Sequence, residues 1–161
     1  MPLHVIYYPP NLWTNEEKAE LVDRITTIYT NPPAELPAFW VNVIFRPTPA
    51  EDFFIGGRGP SNNYVRIAVD HIARPLDKTT VGQRNFMNRY WQAIEPFTKG
   101  KGVGCEVSID HTPSELWSID GLRPPYAGTK EEVELRNLQR KENKIVLDKN
   151  GSVPLPSEIT W

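Results

Sequence analysis

The sequence predicts an α/β domain in which two strand–helix–strand units form one four-stranded mixed sheet. Three observations lead to this prediction: β-branched and aromatic runs end near prolines, amphipathic stretches lie between them, and the same order occurs twice. A unit that closes within one sheet has parallel strands and a right-handed crossover. Two units side by side place both helices on one face. Because the other face then lacks a cover, we also expect self-association.

The first unit covers about residues 2–46. Residues 3–8 are mostly β-branched or aromatic and precede a Pro-Pro pair, which is typical of a short strand. A capping-box spacing begins at Thr14, and apolar residues follow it at helical intervals. Residues 39–45 form the next apolar run, and we expect this second strand to end before Pro47.

The second unit covers about residues 63–110. Residues 64–69 alternate as a strand does, and a helix is expected to begin at Asp77 or Thr80 and to run to Phe97. A Gly-Lys-Gly linker ends that helix, and residues 103–109 form the fourth strand. Both units therefore have the same order and similar lengths.

The remaining segments complete one domain, which we assign to residues 1–128. Residues 48–63 are rich in glycine and proline and predict an exposed turn or short hairpin between the units. Residues 129–161 are assigned to a C-terminal extension that consists of a helix and a tail. The helix, over 129–145, carries nearly balanced charges and is expected to be solvated and only modestly amphipathic.

Composition excludes several classes of function. The 161 residues carry a net charge of −2 and no basic stripe, so a nucleic-acid partner is not expected. The apolar runs are too short to cross a bilayer, and no signal peptide is evident. The single cysteine, Cys105, excludes an internal disulfide framework and fits a reducing compartment. We expect a cytoplasmic protein with no membrane partner.

No common catalytic or metal-binding signature occurs in the chain. Neither a phosphate-binding glycine loop nor a Gly-x-Ser-x-Gly nucleophile motif is present. His4, His71 and His111 are too scattered to predict a zinc site, since structural zinc takes four ligands. Cys105 is interpreted as a small buried hydrophobe. We expect no metal and no organic cofactor.

Pro2 is the remaining candidate for chemistry. Removal of Met1, whose neighbour is small, would leave a secondary amine at the start of the first strand. A free amino terminus titrates at about 7.7–8.0, and desolvation or nearby cations lower that pKa, which suits a general base. A neighbouring carboxylate would instead keep the amine protonated as a general acid. Taken alone, a proline at this position is more often an ordinary chain start.

The ordered set of features resembles the tautomerase superfamily. Met1-Pro2 before a strand, the duplicated unit, and the sequence IARP at 72–75 are similar to the cis-3-chloroacrylic acid dehalogenase-like proteins. The sequences FFIGG at 53–57 and WSIDGLRPP at 117–125 resemble a fungal oxalocrotonate tautomerase branch. The resemblance covers roughly residues 2–128. It implies a homotrimer whose active sites use the amino-terminal proline near subunit boundaries.

The resemblance also implies a group that binds the substrate carboxylate. Arg74 matches an arginine with this role, which suits the planar guanidinium. Without the resemblance, a surface arginine after a strand is the preferred interpretation. A second arginine of the dehalogenases is replaced here by His71 or Ile72, which implies a weaker or differently placed carboxylate site. Arg58 or Arg66 could substitute for it.

Three further positions differ from the dehalogenase pattern. Tyr29 replaces a histidine and either donates to a substrate oxygen or packs on the sheet. Ser108 replaces a tyrosine of the last core strand. The glutamate that activates water in the dehalogenases corresponds to the position one residue before Asp120. Asp120 is therefore the candidate for this acidic role, and Glu115 is a weaker candidate. The Asp-Gly pair at this position equally favours a simple turn.

The leading hypothesis is an amino-terminal-proline tautomerase that catalyses keto–enol isomerisation of a small α-keto or unsaturated carboxylic acid. Pro2 would move the proton, Arg74 would hold the carboxylate, and Tyr29 or Ser108 would donate to the enolate oxygen. In the alternative, hydration or hydrolytic dehalogenation of a 3-haloacrylate-like acid, Asp120 activates water and protonated Pro2 is the acid. A non-catalytic trimeric ligand-binding module is the second class of function.

Overall fold

The structure of the chain, a computed structural model, describes residues 2–59, 62–72 and 78–142. Within these residues it contains four strands and three α-helices, together with short 3₁₀ turns. In chain order they are β1 (Leu3–Tyr8), α1 (Asn15–Thr30), β2 (Asn42–Pro47), β3 (Tyr64–His71), α2 (Thr80–Ile94), β4 (Gly104–His111) and α3 (Lys130–Glu142).

The strands form one mixed sheet in the order β2-β1-β3-β4. Within each unit the strands are parallel, and the central pair β1 and β3 is antiparallel. Tyr29 of α1 and Tyr90 of α2 both contact the ring of His4 on β1, so both helices cover the same face. The predicted duplicated architecture is confirmed.

Local capping fixes where the first two helices begin. The Thr14 Oγ1 accepts a hydrogen bond from the Glu17 N–H at 3.2 Å, and the Glu17 carboxylate accepts from the Thr14 N–H at 2.9 Å. This is the predicted capping box. In α2 the hydroxyl of Thr79 accepts from the Gly82 N–H, so the helix begins at Thr80, the later of the two predicted starts.

The predicted ends of β2 and α2 differ from the structure for reasons of backbone geometry. Residues 38–40 form a 3₁₀ turn, and β2 runs from Asn42 through Pro47. Proline is tolerated at position 47 although it has no N–H group, because the N–H of Thr48 donates the hydrogen bond to the Tyr8 carbonyl. The helix α2 stops at Ile94 because Pro96 follows it, and residues 95–97 form a 3₁₀ turn instead.

The third helix packs on the rest of the molecule. Leu135 is buried in the same apolar cluster as Leu36 and Trp117. The Arg136 Nη1 lies 2.9 Å from a carboxylate oxygen of Glu35. The helix is therefore docked along one side, whereas its charge balance predicted a solvated surface helix. Residues 143–161 of the predicted extension lie outside the described residues.

The sheet buries one face and leaves the other open. The exposed residues on the open face include Tyr7 of β1 and Ile44 of β2, which are 40% and 39% exposed.

Cys105 on β4 is packed against the buried cluster, and burial raises the pKa of its thiol to about 12, so the thiol stays protonated. None of the described helices is both long enough and apolar enough to cross a bilayer.

Candidate active site

Pro2 is a buried residue at the end of the sheet, directly before β1. Its carbonyl accepts a hydrogen bond from the Asn42 N–H at 2.9 Å. The antiparallel register pairs Leu3 with Asp70, so continuing it by one residue sets Pro2 opposite His71. Because strand side chains alternate, Pro2 also shares the helix-covered face with His4.

Tyr29 lies beside this end of the sheet. Its ring centre is 5.4 Å from that of His4 and 5.7 Å from that of His71. All three side chains are buried. Of the six site residues predicted from the sequence, the structure therefore brings Pro2, Tyr29 and His71 together.

The hydroxyl of Tyr29 is a hydrogen-bond donor inside this cluster. It is buried and has no hydrogen-bond partner within the described part of the chain. Burial raises the pKa of this phenol above its ordinary value, so the proton stays on the oxygen. A buried donor left unsatisfied costs about 1–3 kcal/mol, which an oxygen of a bound ligand would recover.

His4 is a neutral member of the same cluster. Its Nδ1 lies 2.8 Å from the hydroxyl of Tyr90, and the two rings stack. Burial, with a smaller contribution from His71, lowers the pKa of His4 to about 3. The alternation of β1 places His4 on the face of Ile6 and Tyr8, but nothing in the sequence identifies Tyr90 as its partner.

Ser108 lies on the opposite face of the sheet. Its Oγ accepts a hydrogen bond from the Arg66 Nη2 at 2.5 Å, and the Arg66 Nη1 donates to the Ile67 carbonyl at 2.7 Å. Ser108 pairs in register with Ala68, whose side chain also points to the open face. Within one chain, Ser108 and Arg66 are therefore separated from Tyr29 by the sheet.

Asp120 occupies a tight turn. The backbone N–H groups of Ile119 and Leu122 donate to each other's carbonyl groups at 2.8 and 2.9 Å. Asp120 has a positive φ of 52°, a conformation that Asp tolerates better than most residues, and it is exposed. The contacts of Asp120 are thus those of a turn residue.

The remaining candidates lie in different places. Arg74, the predicted carboxylate-binding residue, lies outside the described residues. Ile72, two positions earlier, packs partly against the apolar cluster. Arg58 is exposed in the turn that it closes with Ile55. Glu115 is exposed and borders a cleft of about 340 Å³.

This cleft is formed by residues 111–127 and lies next to the cluster around Pro2. His111, at its border, stacks on His71 with ring centres 6.1 Å apart. Trp117, also in its wall, packs edge-on against Trp40 at 5.1 Å. Nothing in the sequence indicates these two ring contacts, because each joins residues that are distant in sequence. No group of three or more metal-ligating side chains occurs within residues 2–59, 62–72 and 78–142.

Two solved structures resemble the chain along most of its length. Native RhCC from Rhodococcus jostii RHA1 is 36% identical, with a TM-score of 0.78, and the match covers 89% of this chain and 98% of that chain. AU4130 from the thermophilic fungus Aspergillus fumigatus is also 36% identical, with a TM-score of 0.76 and coverage of 91% and 96%.

A third structure shares the fold at lower identity. N1, a member of the cis-3-chloroacrylic acid dehalogenase family, is 21% identical, with a TM-score of 0.65 and coverage of 86% of this chain and 96% of that chain. No curated protein matches the sequence. The family model described as "Putative oxalocrotonate tautomerase enzyme" matches residues 1–140. Because this match spans most of the chain, the protein belongs to that oxalocrotonate tautomerase family, within the tautomerase superfamily.

Proposed function

We propose that this protein is an amino-terminal-proline tautomerase that interconverts the keto and enol forms of a small α-keto or unsaturated carboxylic acid. The observation that carries the proposal is the burial of Pro2 at the end of the sheet beside the ring of Tyr29, whose buried hydroxyl has no hydrogen-bond partner among the described residues. Membership of the tautomerase family supports the same reaction class.

Pro2 is the proton carrier in this reaction. Once Met1 is removed, the proline nitrogen is a secondary amine in a buried position, and burial disfavours its charged form. The neutral amine takes a proton from the carbon next to the substrate carbonyl, and the electron pair moves to the carbonyl oxygen. Return of the proton to that oxygen completes the enol. In the reverse direction the same nitrogen delivers the proton to carbon.

Tyr29 stabilises the charge that develops on the substrate oxygen. Its buried phenol keeps its proton and can donate a hydrogen bond to the enolate. We assign the substrate carboxylate to Arg74, on the family resemblance alone. The proton carrier and the oxyanion donor are both side chains, so the proposed reaction needs no metal and no organic cofactor.

The substitution Pro2→Ala tests the proposal in ketonisation assays with phenylenolpyruvate and 2-hydroxymuconate. Intact mass first establishes that Met1 is absent from both proteins. Loss of the secondary amine is expected to lower kcat/KM by about 100-fold or more, the usual contribution of a general base. Pro10→Ala, at an exposed proline beyond the same strand, is the matched control and should retain wild-type activity.

Other outcomes separate the alternatives. If Pro2→Ala keeps full activity, Pro2 takes no part in the mechanism and the proposal is wrong. If the wild type turns over neither enol but hydrates a 3-haloacrylate, the reaction is the hydrolytic one, with Asp120 as the candidate base. If no substrate is turned over but carboxylic acids still bind, the protein is a binding module.

A further inference from the structure

We propose that Phe86 of α2 is a specificity-determining residue, whose ring bounds the proposed active site on the side of α2 and limits the size of the apolar substituent that a substrate can carry. The inference deepens the proposed function and rests on it for the place where the substrate reacts. It also identifies where a larger substituent goes when the ring is removed, which is an apolar groove between α2 and β4.

Phe86 contacts both aromatic side chains that lie beside Pro2. Its ring centre is 5.8 Å from that of Tyr29 and 5.8 Å from that of His71, and both contacts are edge-on. Pro2 lies opposite His71 when the register of β1 and β3 is continued. A substrate that reaches both Pro2 and the hydroxyl of Tyr29 is therefore bounded on the α2 side by the ring of Phe86.

The same ring borders an apolar groove of about 270 Å³, whose lining residues are Gln83, Phe86, Met87 and Ile109. The groove lies between α2 and β4, the strand at one edge of the sheet. Ile109 is two residues before His111, which pairs with His71, so the groove is at the same end of the sheet as Pro2. Because Phe86 both contacts the site and lines the groove, its ring separates the two spaces.

The ring of Phe86 is held in place by its neighbours. The ring of Tyr90, one turn along α2, lies 6.3 Å away, and the guanidinium carbon of Arg89 lies 5.9 Å from the ring centre of Phe86. The ring cannot turn aside for a larger ligand without losing these contacts and those with Tyr29 and His71. Since phenylalanine has no polar side-chain atom, Phe86 acts on the substrate through its shape alone.

Removal of this ring should join the groove to the site. A buried phenylalanine that is replaced by alanine leaves a cavity, because the surrounding core relaxes only in part. The cavity would extend from Tyr29 to the apolar side chains of Met87 and Ile109. A second aromatic ring on the substrate would then be removed from water there, which is favourable in proportion to the apolar area buried.

The first test compares two enols that differ by one fused ring, phenylenolpyruvate and 2-naphthylenolpyruvate. In Phe86→Ala we expect the ratio of kcat/KM for the naphthyl enol to that for the phenyl enol to rise at least about tenfold, since a single methylene group in an apolar pocket already has an effect of this size. Phe86→Leu fills more of the space and should raise the ratio less.

Phe97→Ala is the matched control for lost core packing. Phe97 is also buried, and its ring also has an arginine guanidinium over it, that of Arg24. It lies at the far end of β1, because Trp13, which stacks on Tyr8, donates a hydrogen bond to the Phe97 carbonyl. This variant should leave the substrate ratio unchanged.

A second substitution tests the path into the groove. Met87→Phe added to Phe86→Ala fills the groove with another ring and should return the ratio towards the wild-type value. Met87→Phe alone should not change the ratio, because Phe86 already separates the groove from the site. A double variant that keeps the full gain would show that the added ring of the substrate does not enter this groove, and would contradict the inference.

Binding without turnover tests the role of Phe86 independently of the proline mechanism. Calorimetric titration of Pro2→Ala with 3-phenylpropionate and with 3-(2-naphthyl)propionate gives two Kd values. Addition of Phe86→Ala should shift the ratio of these values at least about tenfold in favour of the naphthyl acid. Phe86→Leu provides the same comparison, with a smaller shift, if the alanine variant does not fold.

The outcomes separate this inference from the proposed function. If Pro2→Ala retains full activity while Phe86→Ala still shifts the substrate ratio, the proline mechanism fails and Phe86 remains the specificity-determining residue. If folded Phe86 variants change neither the substrate ratio nor the Kd ratio, the inference is wrong, whatever the result at Pro2. An equal shift in Phe97→Ala would also overturn it, because general loss of core packing would then explain the change.

Discussion

At the scale of single residues, the chemistry of the proposed site depends on which groups around Pro2 carry charge. His4 is neutral, because burial lowers its pKa to about 3, and Tyr29 keeps its proton. Neither side chain supplies a cation that would lower the pKa of the Pro2 amine. Burial of the amine is therefore the factor that we expect to favour its basic form.

The substitution Tyr29→Phe removes the proposed oxyanion donor while keeping the ring. We expect kcat to fall about 100-fold with a smaller change in KM, because the hydrogen bond strengthens as charge develops on the substrate oxygen. Steady-state kinetics with phenylenolpyruvate measure both constants. Tyr90→Phe is the matched control, since the Tyr90 hydroxyl is already engaged with His4, and it should lose far less activity. Full activity in Tyr29→Phe would exclude the donor role.

His4 should make the fold sensitive to acid. The pKa of His4 falls from the usual 6.5 to about 3 on folding. Below about pH 6.5 the unfolded chain therefore binds a proton that the native chain does not. As the pH is lowered through this window, His4 should reduce the free energy of unfolding by on the order of 1.4 kcal/mol per pH unit. Urea unfolding between pH 7 and pH 4 measures the slope, and His4→Gln should flatten it. Parallel curves for the two proteins would contradict this origin.

The sequence predicts some of these residues and not others. Pro2, Tyr29 and His71 follow from the resemblance, and the structure places them at the same end of the sheet. The sequence does not indicate the cleft of residues 111–127, because that cleft depends on how the segment folds on itself. Ser108 is placed correctly on the last core strand, but only the register shows that it faces away from Tyr29.

At the scale of elements, the segments with the clearest local signals agree best with prediction. The strand β1 has the predicted limits, and the capping box forms as expected. The ends of β2 and α2 differ from the prediction. Pairing with β1 determines the ends of β2, and Pro96 determines where α2 stops. The docking of α3 could not be predicted, since a helix with so few apolar residues has a weak pattern, and its buried side is defined by contacts with residues 35–36 and 117.

The capping box provides a test at this scale. Thr14→Ala removes the acceptor of the Glu17 N–H and should lower the free energy of unfolding by about 1 kcal/mol. Thr27→Ala is the matched control, because Thr27 is exposed within the same helix, where alanine has the higher helix propensity. Chemical denaturation of both variants should therefore give opposite signs. Equal effects would mean that the cap contributes nothing specific.

At the scale of the whole molecule, the open face of the sheet remains to be covered. We propose that the protein is a homotrimer, as the family resemblance implies, with this face in the subunit contacts. The exposed apolar residues Tyr7 and Ile44 support the proposal, since burying them removes apolar surface from water.

Light scattering tests the assembly. The wild type should have three times the 18.4 kDa mass of one chain. Ile44→Glu places a charge on the open face and should shift the population to monomers. Val81→Glu, at a residue 68% exposed on α2, is the matched control and should remain assembled. A monomeric wild type at micromolar concentration would contradict the proposal.

The most direct measurement of the central claim is the titration of the Pro2 nitrogen itself. In protein labelled with ¹⁵N-proline and lacking Met1, the nitrogen resonance can be followed with pH beside the pH profile of kcat/KM. We predict a pKa below the value of about 7.7–8.0 for an ordinary amino terminus, coincident with the rising limb of the profile. A resonance that titrates well above that value, or a rate profile that does not follow it, would contradict Pro2 as the catalytic base.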